Sequence, residues 1–163
     1  MEAYGTLDEL NAVLGAVRAF STQRRLQEIL TSLQKELFLL GAELASPDGG
    51  SPGRAASLSA EQVEKLEAVI DELTAQLPPL DRFILLGGSP AGALLHLART
   101  VARRAERRVV ALAAVSEVRP VVLQYLNRLS DLLFVLARWL NAAEGQSETR
   151  WLPDPGGRAG TAE

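Results

Sequence analysis

Leucine recurs at alternating steps of four and three residues along one stretch of the chain. The positions are Leu26, Leu30, Leu33, Leu37, Leu40 and Leu44. Because an α-helix turns once every ~3.6 residues, this spacing places the leucines on one face of a helix. We predict a long helix from Thr22 that ends before Ser46 and Pro47, since a proline disfavours helical geometry in the residue before it.

The segments on either side of this helix carry similar apolar faces. Tyr4 to Phe20 forms the first predicted helix. The third begins after Ser59, which makes a capping box with Gln62 three residues later, and it ends at Pro78 and Pro79.

Two further helices complete the pattern. Ser89 and Pro90 are an N-cap and a first-turn proline for a fourth helix that runs to about Leu112. The fifth begins near Pro120 and loses its period at Gly145. Five helices without an alternating strand pattern predict an all-α bundle.

Two stretches lack helical periodicity. Residues 46–57 are rich in glycine, serine and proline and are predicted to form a mobile loop. Residues after 145 are polar and glycine-rich, which is typical of a flexible tail that orders only against a partner or ligand. We therefore expect a helical bundle domain over residues 1–145 and a flexible C-terminal tail over residues 146–163.

Composition limits the partners and the compartment. The 17 basic and 20 acidic residues give a formal charge of −3, so no overall positive field draws the chain to nucleic acid or to an anionic membrane. Only Lys35 and Lys65 are lysines, so the other basic residues are arginines. The planar guanidinium group of arginine binds phosphate oxygens through paired hydrogen bonds better than the ammonium group of lysine does. No apolar stretch reaches the ~20 residues of a membrane span, and no export signal is evident at the start. We expect a cytoplasmic protein.

The residues available for chemistry are few. There is no cysteine, which excludes a disulfide, a thiolate nucleophile and a cysteine-based metal centre. His96 is the only histidine, so a di-iron carboxylate bundle with two Glu-x-x-His pairs is excluded, and no Ser-His-Asp arrangement is evident. A lone histidine of this kind is more often a structural residue than a ligand.

One face of the fourth helix is polar. His96, Arg99, Arg103 and Glu106 follow steps of three, four and three, so they lie along one line of the helix. A solvated face with internal ion pairs explains this spacing as well as a binding site does, because surface charge is the usual case.

Polar residues also interrupt the first and fifth helices. Asp8, Asn11 and Gly15 share one face of the first, and Asn127 and Asp131 share one face of the fifth, although asparagine and aspartate are poor helix-interior residues. These faces meet either water or one another around a polar ligand. The two glycines of residues 83–90 precede a helix start that could hold an anion, but an ordinary turn explains them equally well.

Three segments in order along the chain carry a specific resemblance. They are AYGTLDELNAVLG at 3–15, FILLGGSPAGALLHLARTVARRAERRVVAL at 83–112, and YLNRLSDLLFVLARWLN at 125–141. Together they resemble the PduO-type ATP:corrinoid adenosyltransferases, and TRWLP at 149–153 is similar to the tail of that family.

This resemblance implies a ferritin-like five-helix bundle that assembles as a homotrimer with sites between subunits. It also implies transfer of the 5′-deoxyadenosyl group of ATP to the cobalt of cob(I)alamin, with release of triphosphate and with Mg²⁺ as the expected divalent cation. The nucleophile is the Co(I) of the substrate, so the protein needs only to orient and to stabilise charge. A cobalamin reductase and an adenosylcobalamin-dependent enzyme are the implied protein partners.

The same resemblance assigns site residues. Positions that match the nucleotide-binding residues of the family are Arg103, Arg104, Glu106, Arg107 and Asn127. Asp8 and Arg99 match a pair that forms a salt bridge across a subunit boundary and organises the catalytic site together with Arg103. No metal-ligating side chain is implied.

Phe83 matches an aromatic residue that lies under the corrin ring and excludes the lower axial ligand of cobalt, which makes Co(II) easier to reduce. The alternative for Phe83 is an ordinary core phenylalanine. Arg128 and Asp131 are expected to be structural residues of the fifth helix.

The sequence departs from the family pattern at two places. A threonine- and glycine-rich stretch of the type TGDxGxT, which wraps the ATP phosphates in the family, does not precede Glu2 here, so we expect weakened ATP binding. Leu86 replaces the usual proline before the two glycines, which we expect to loosen that loop. Two other hypotheses stay open: a non-catalytic corrinoid-binding or delivery protein, and a helical scaffold without a ligand.

Overall fold

The computed structural model describes residues 2–45 and 57–151, and these form five α-helices. The helices are α1 (Glu2–Phe20), α2 (Arg24–Ala45), α3 (Ala60–Thr74), α4 (Pro90–Ala113) and α5 (Pro120–Ala143). The predicted all-α bundle is therefore confirmed over the described residues. Each predicted boundary differs from the observed one by a few residues at most. The predicted mobile loop at residues 46–57, apart from Ser57, lies outside the described residues, as does the tail beyond Trp151.

The predicted caps are present at the starts of α3 and α4. The amide of Ser59 donates to Oε1 of Gln62 at 2.8 Å, which is the return bond of a capping box. At α4 the Oγ of Ser89 accepts a hydrogen bond from the amide of Gly92 at 3.1 Å, with Pro90 in the first turn. Both contacts satisfy backbone donors that a helix start leaves free.

Helix α5 lies at the centre of the packing. It contacts α3 and α4 extensively and α2 over a short length, while α1 packs between α2 and α4. Leucines of the predicted apolar faces, among them Leu10, Leu33, Leu126 and Leu133, are fully or almost fully buried in one core. No helix within residues 2–45 and 57–151 is both long enough and apolar enough to cross a membrane.

Two partly buried polar contacts join α2 to the rest of the bundle. The hydroxyl of Tyr125 donates to Oε2 of Glu36 at 2.6 Å, and burial, reinforced by the Glu36 charge, raises the pKa of Tyr125 well above its ordinary value. At the other end of α2, Arg119 makes a bidentate pair with Glu43 through bonds of 2.7 and 2.6 Å and also donates to the Leu58 carbonyl at 2.9 Å. The Glu43 side chain is only 6% exposed, so this carboxylate depends on Arg119 for compensation.

We expect Arg119→Ala to lower the free energy of unfolding by about 2 kcal/mol and the melting temperature by about 4–8 °C. The change leaves the Glu43 carboxylate buried without its cation. The cost stays below that of a fully buried pair because the Arg119 side chain is 37% exposed. Thermal and urea unfolding followed by circular dichroism at fixed protein concentration measure the effect.

Arg24→Ala is the matched control, since the Arg24 side chain is 93% exposed in its pair with Glu28. It should change stability by less than about 0.5 kcal/mol. Equal melting temperatures for the two variants would show that the Glu43 pair does not anchor α2.

Candidate functional site

A cavity of about 500 Å³ opens between the segment that precedes α4 and the helices α4 and α5. Its lining is apolar on the side of the segment and charged on the side of the helices. The lining residues are Leu80, Phe83, Ile84, Leu86, Arg99, Arg103, Ser130, Asp131 and Phe134. The cavity thus combines an apolar surface on one side with two cationic side chains on the helix side. This combination suits a large amphipathic or anionic ligand.

Phe83 lies at the mouth of this cavity and is 79% exposed, so the alternative of a core phenylalanine is wrong. Its ring meets that of Trp151 edge-on, with centroids 6.5 Å apart. Leu85 and Leu86 are also about half exposed. Large apolar side chains that are left in solvent together indicate a contact surface for a ligand or another chain.

The segment that carries Phe83 is held by backbone pairing with the start of the tail. The amide of Leu85 donates to the Thr149 carbonyl at 2.8 Å, and the amide of Trp151 donates to the Phe83 carbonyl at 2.8 Å. The described part of the tail therefore lies against residues 83–85 as a short antiparallel bridge. The domain division at residue 145 stays a prediction.

Arg99 forms one wall of the cavity together with Phe134. Its guanidinium carbon lies 5.7 Å from the centroid of the Phe134 ring, a cation–π distance. Its buried Nε has no hydrogen-bond partner among the described residues. His96, which is 3% exposed, also lies beside Phe134, with the two ring centroids 6.0 Å apart. Burial, and to a smaller extent the charge of Arg99, lowers the pKa of His96, while the charge of Glu148 opposes this lowering. The imidazole ring is therefore neutral near pH 7.

Three predicted nucleotide-binding residues meet at Glu106. Its carboxylate accepts from the guanidinium of Arg103 at 2.6 Å and from Nδ2 of Asn127 at 3.1 Å. Glu106 and Asn127 also line a second cavity of about 490 Å³ between α3, α4 and α5. Arg103 thus connects this cluster to the first cavity, because its side chain lines that cavity as well.

The remaining predicted residues do not converge on this cluster. Arg104 pairs with Glu9 of α1, and Arg107 is exposed on α4. Asp8 is exposed on α1, and neither Asp8 nor Arg99 forms an ion pair within the described part of the chain. A single copy of the chain therefore does not bring this predicted pair together.

Arg128 pairs with Asp131 at 3.1 Å and with Glu67 of α3 at 3.4 Å. These contacts agree with the expected structural role of Arg128 and Asp131. Asp131 also lines the cavity of Phe83, which the sequence analysis did not anticipate.

Several residues at the site were not identified from the sequence. Ser130 and Phe134 line the cavity, and Arg138 and Asn141 hold the surrounding segments from α5. The sequence feature that could have identified them is a set of polar residues at helical spacing on a face of α5 that otherwise carries leucine.

The model of the family described as cobalamin adenosyltransferase matches residues 1–140. Corrinoid adenosyltransferase PduO of Salmonella typhimurium is 46% identical over 138 residues, which are 85% of this chain and 41% of that protein. The chain therefore spans less than half the length of that relative. A corrinoid adenosyltransferase of Bacillus subtilis is 44% identical over 155 residues, covering 93% of this chain and 79% of the relative.

Solved structures show the same fold. A variant of the PduO-type ATP:corrinoid adenosyltransferase of Lactobacillus reuteri, complexed with cobalamin and ATP, superposes with a TM-score of 0.85 at 34% identity, over 91% of this chain and 83% of that one. A second variant of that enzyme, complexed with ATP, gives a TM-score of 0.83 at 34% identity, over 93% and 86% of the two chains. On the family match, the identities and the shared fold, this chain belongs to the cobalamin adenosyltransferase family.

Proposed function

We propose that the protein transfers the 5′-deoxyadenosyl group of ATP to the cobalt of a reduced corrinoid, giving adenosylcobalamin and triphosphate. The main support for this proposal is the cavity described above. The exposed Phe83 forms its mouth, and Arg99 and Arg103 lie on its helix wall. An apolar platform beside guanidinium groups suits a flat corrin ring next to a polyanion. The complexes of the Lactobacillus reuteri enzyme with cobalamin and ATP support both ligands.

The reaction balances without a protein nucleophile. The electron pair of Co(I) forms the Co–C bond at C5′ of the nucleotide, the C5′–O bond breaks, and triphosphate leaves with the electron pair of that bond. Such a step requires that the protein orient the two substrates and that it stabilise the negative charge that develops on the triphosphate as it leaves. Arg103 is the side chain best placed to do the second, because it lies between the cavity of Phe83 and the Glu106 cluster.

The nucleotide is proposed to contact Arg103, Arg104, Glu106, Arg107 and Asn127. The contacts of Arg103 and Asn127 with Glu106 support this, since they hold a guanidinium and an amide in fixed positions before any ligand arrives. Mg²⁺ would be held mainly by the phosphates of ATP, as it usually is in such sites, and would neutralise charge on the triphosphate. The guanidinium groups of the arginines beside the triphosphate can each donate two parallel hydrogen bonds to the same oxygens.

Phe83 is proposed to lie under the corrin ring and to keep the lower axial ligand away from cobalt. Its 79% exposure leaves the ring free to contact a ligand, while the backbone on either side is paired with residues 149–151. A hydrophobic side chain in this position cannot replace the lost axial ligand. Reduction of Co(II) to the Co(I) nucleophile then becomes easier.

Asp8 and Arg99 are proposed to pair across a subunit boundary in a homotrimer, with the site between subunits. The support is that neither charge forms an ion pair with another described residue, and that the buried Arg99 Nε has no hydrogen-bond partner in the same part of the chain. A buried guanidinium nitrogen without a partner is costly, so a carboxylate from a second copy would stabilise it.

A cytoplasmic location, a cobalamin reductase that delivers electrons and an adenosylcobalamin-dependent enzyme that receives the product complete this proposal. The division into a bundle at 1–145 and a tail at 146–163 belongs to it as well. A non-catalytic corrinoid-binding protein is not favoured, because the relatives are named adenosyltransferases and a related enzyme is complexed with both cobalamin and ATP.

We expect Arg103→Ala to lower kcat/KM for ATP by about 100- to 1,000-fold, the usual effect of removing one donor that stabilises developing negative charge. The assay is anaerobic: chemically reduced cobalamin, ATP and Mg²⁺ are mixed with the protein, and adenosylcobalamin formation is followed by absorbance. Arg24→Ala, an exposed arginine change at the far end of α2, should match the parent protein. Parental activity in Arg103→Ala would remove this residue from the site, and no turnover in the parent above a protein-free blank would refute the activity.

We expect Asp8→Ala and Arg99→Ala each to be nearly inactive but to complement one another when the two chains are refolded together. When equal amounts of the two variants assemble at random, about a quarter of all interfaces combine an intact Asp8 with an intact Arg99, so activity should approach a quarter of the parental value. The same assay and native mass spectrometry measure activity and assembly.

Refolding Arg99→Ala with itself is the control and should restore nothing. If the mixture is no more active than the separate variants, although native mass spectrometry shows mixed trimers, the pairing across the boundary is wrong.

A further inference from the structure

Asn141, in the last turn of α5, is 6% exposed and uses its whole amide on the loop before α4. Its Nδ2 donates to the Gly87 carbonyl at 2.8 Å. Its Oδ1 accepts from the amide of Ser89 at 3.0 Å and from the Ser89 hydroxyl at 3.4 Å. One side chain therefore holds the two residues that flank Gly88.

The glycines around Asn141 leave the space that its amide occupies. A Cβ at Gly88 would lie 2.3 Å from Oδ1 of Asn141, and a Cβ at Gly92 would lie 2.0 Å from the same atom. Gly88 also has φ of 110°, a conformation that side chains disfavour. The Gly-Gly-Ser-Pro-Ala-Gly stretch thus fits closely around this one buried amide.

Arg138 holds the other end of the same loop. It lies three residues before Asn141 and therefore on the same face of α5, is 5% exposed, and donates to the Pro78 carbonyl at 3.0 Å. It also pairs with Glu148 at 2.6 Å, next to the residues that bridge to Phe83 and Leu85. Helix α5 consequently fixes the loop where it begins, where it ends and, through Glu148, beside its bridge with residues 149–151.

Phe83 is the exposed tip of this anchored loop, and the opposite wall of its cavity is built from α5 itself through Ser130, Asp131 and Phe134. The same helix thus sets the positions of both walls. We infer that Asn141 is a positioning residue that sets the distance between Phe83 and the α5 wall of the cavity. At that distance the ring meets the corrin at the height needed to exclude the lower ligand. The inference rests on the proposed function and adds to it a residue that touches no substrate.

A double-mutant cycle tests this inference, with the parent protein, Asn141→Ala, Phe83→Ala and the combined variant. Asn141→Ala is expected to lower kcat by about 10- to 100-fold, as a misplacement of about 1 Å does, with KM for ATP changed less than about twofold. The spectrum of bound Co(II) corrinoid should show a smaller fraction without the lower ligand. In the Phe83→Ala background the Asn141 change should cost less than about twofold more, because the two residues act as a unit.

Gln76→Ala is the matched control, since Gln76 accepts a 3.0 Å hydrogen bond from Trp139 at the same end of α5 but precedes Pro78, where Arg138 holds the start of the loop. It should leave kcat and the Co(II) spectrum unchanged. Additive losses in the cycle, or an unchanged spectrum in Asn141→Ala, would overturn the inference in favour of a purely structural residue. If Asn141→Ala does not fold, Asn141→Asp keeps an acceptor for Ser89 but places a carboxylate oxygen against the Gly87 carbonyl in place of the donor, and it is expected to give the same pattern.

Hydrogen exchange separates this inference from the proposed activity. The amides of Leu85 and Trp151 are bonded to Thr149 and Phe83, so they should exchange at least about tenfold faster in Asn141→Ala than in the parent. A parent protein that makes no adenosylcobalamin refutes the proposed activity, and with it the corrin-related role. Unchanged exchange in an active protein refutes the positioning role alone.

Discussion

The packing of α5 against both α3 and α4 is the constraint on which the other features depend. Its leucines are buried in the common core, and in the same turns its polar residues point to the cavities and the loop. A buried donor or acceptor without a partner is costly, and Ser130 finds one within its own helix, at the Asn127 carbonyl 2.8 Å away. Arg138 and Asn141 find theirs in the backbone around Phe83, which places the exposed ring relative to the core.

The helices were accessible from the sequence because their determinants are local. The leucine spacing of α2, the capping box at Ser59 and the proline after Ser89 each act within one or two turns, and the structure contains all three. The resemblance in three segments supplied the family, which the matches with known proteins confirmed. Arg103, Glu106 and Asn127 were selected by that resemblance, and they are in contact in the structure.

The tertiary contacts were not accessible in the same way. Nothing near Asn141 in sequence indicates that its amide binds residues 87 and 89, which lie more than fifty positions earlier. Leu85 pairs with Thr149 and Phe83 pairs with Trp151 across the fold, whereas neither the polarity of the tail nor its resemblance at residues 149–153 indicated where it would lie. Arg99 has no ion-pair partner among the described residues, and Asp8 lines a different pocket, between α1 and α2.

The fit between Gly88, Gly92 and Asn141 has a consequence for how this loop can change. Since the amide fills the space that two Cβ atoms would need, a side chain can be added at Gly88 or Gly92 only if Asn141 changes as well. Residues 83–86 carry no such restriction, as their side chains extend into solvent or the cavity. The loop thus has a closely fitted base and an exposed tip, and changes that reshape the surface around the cavity can be confined to those four positions without disturbing the fit.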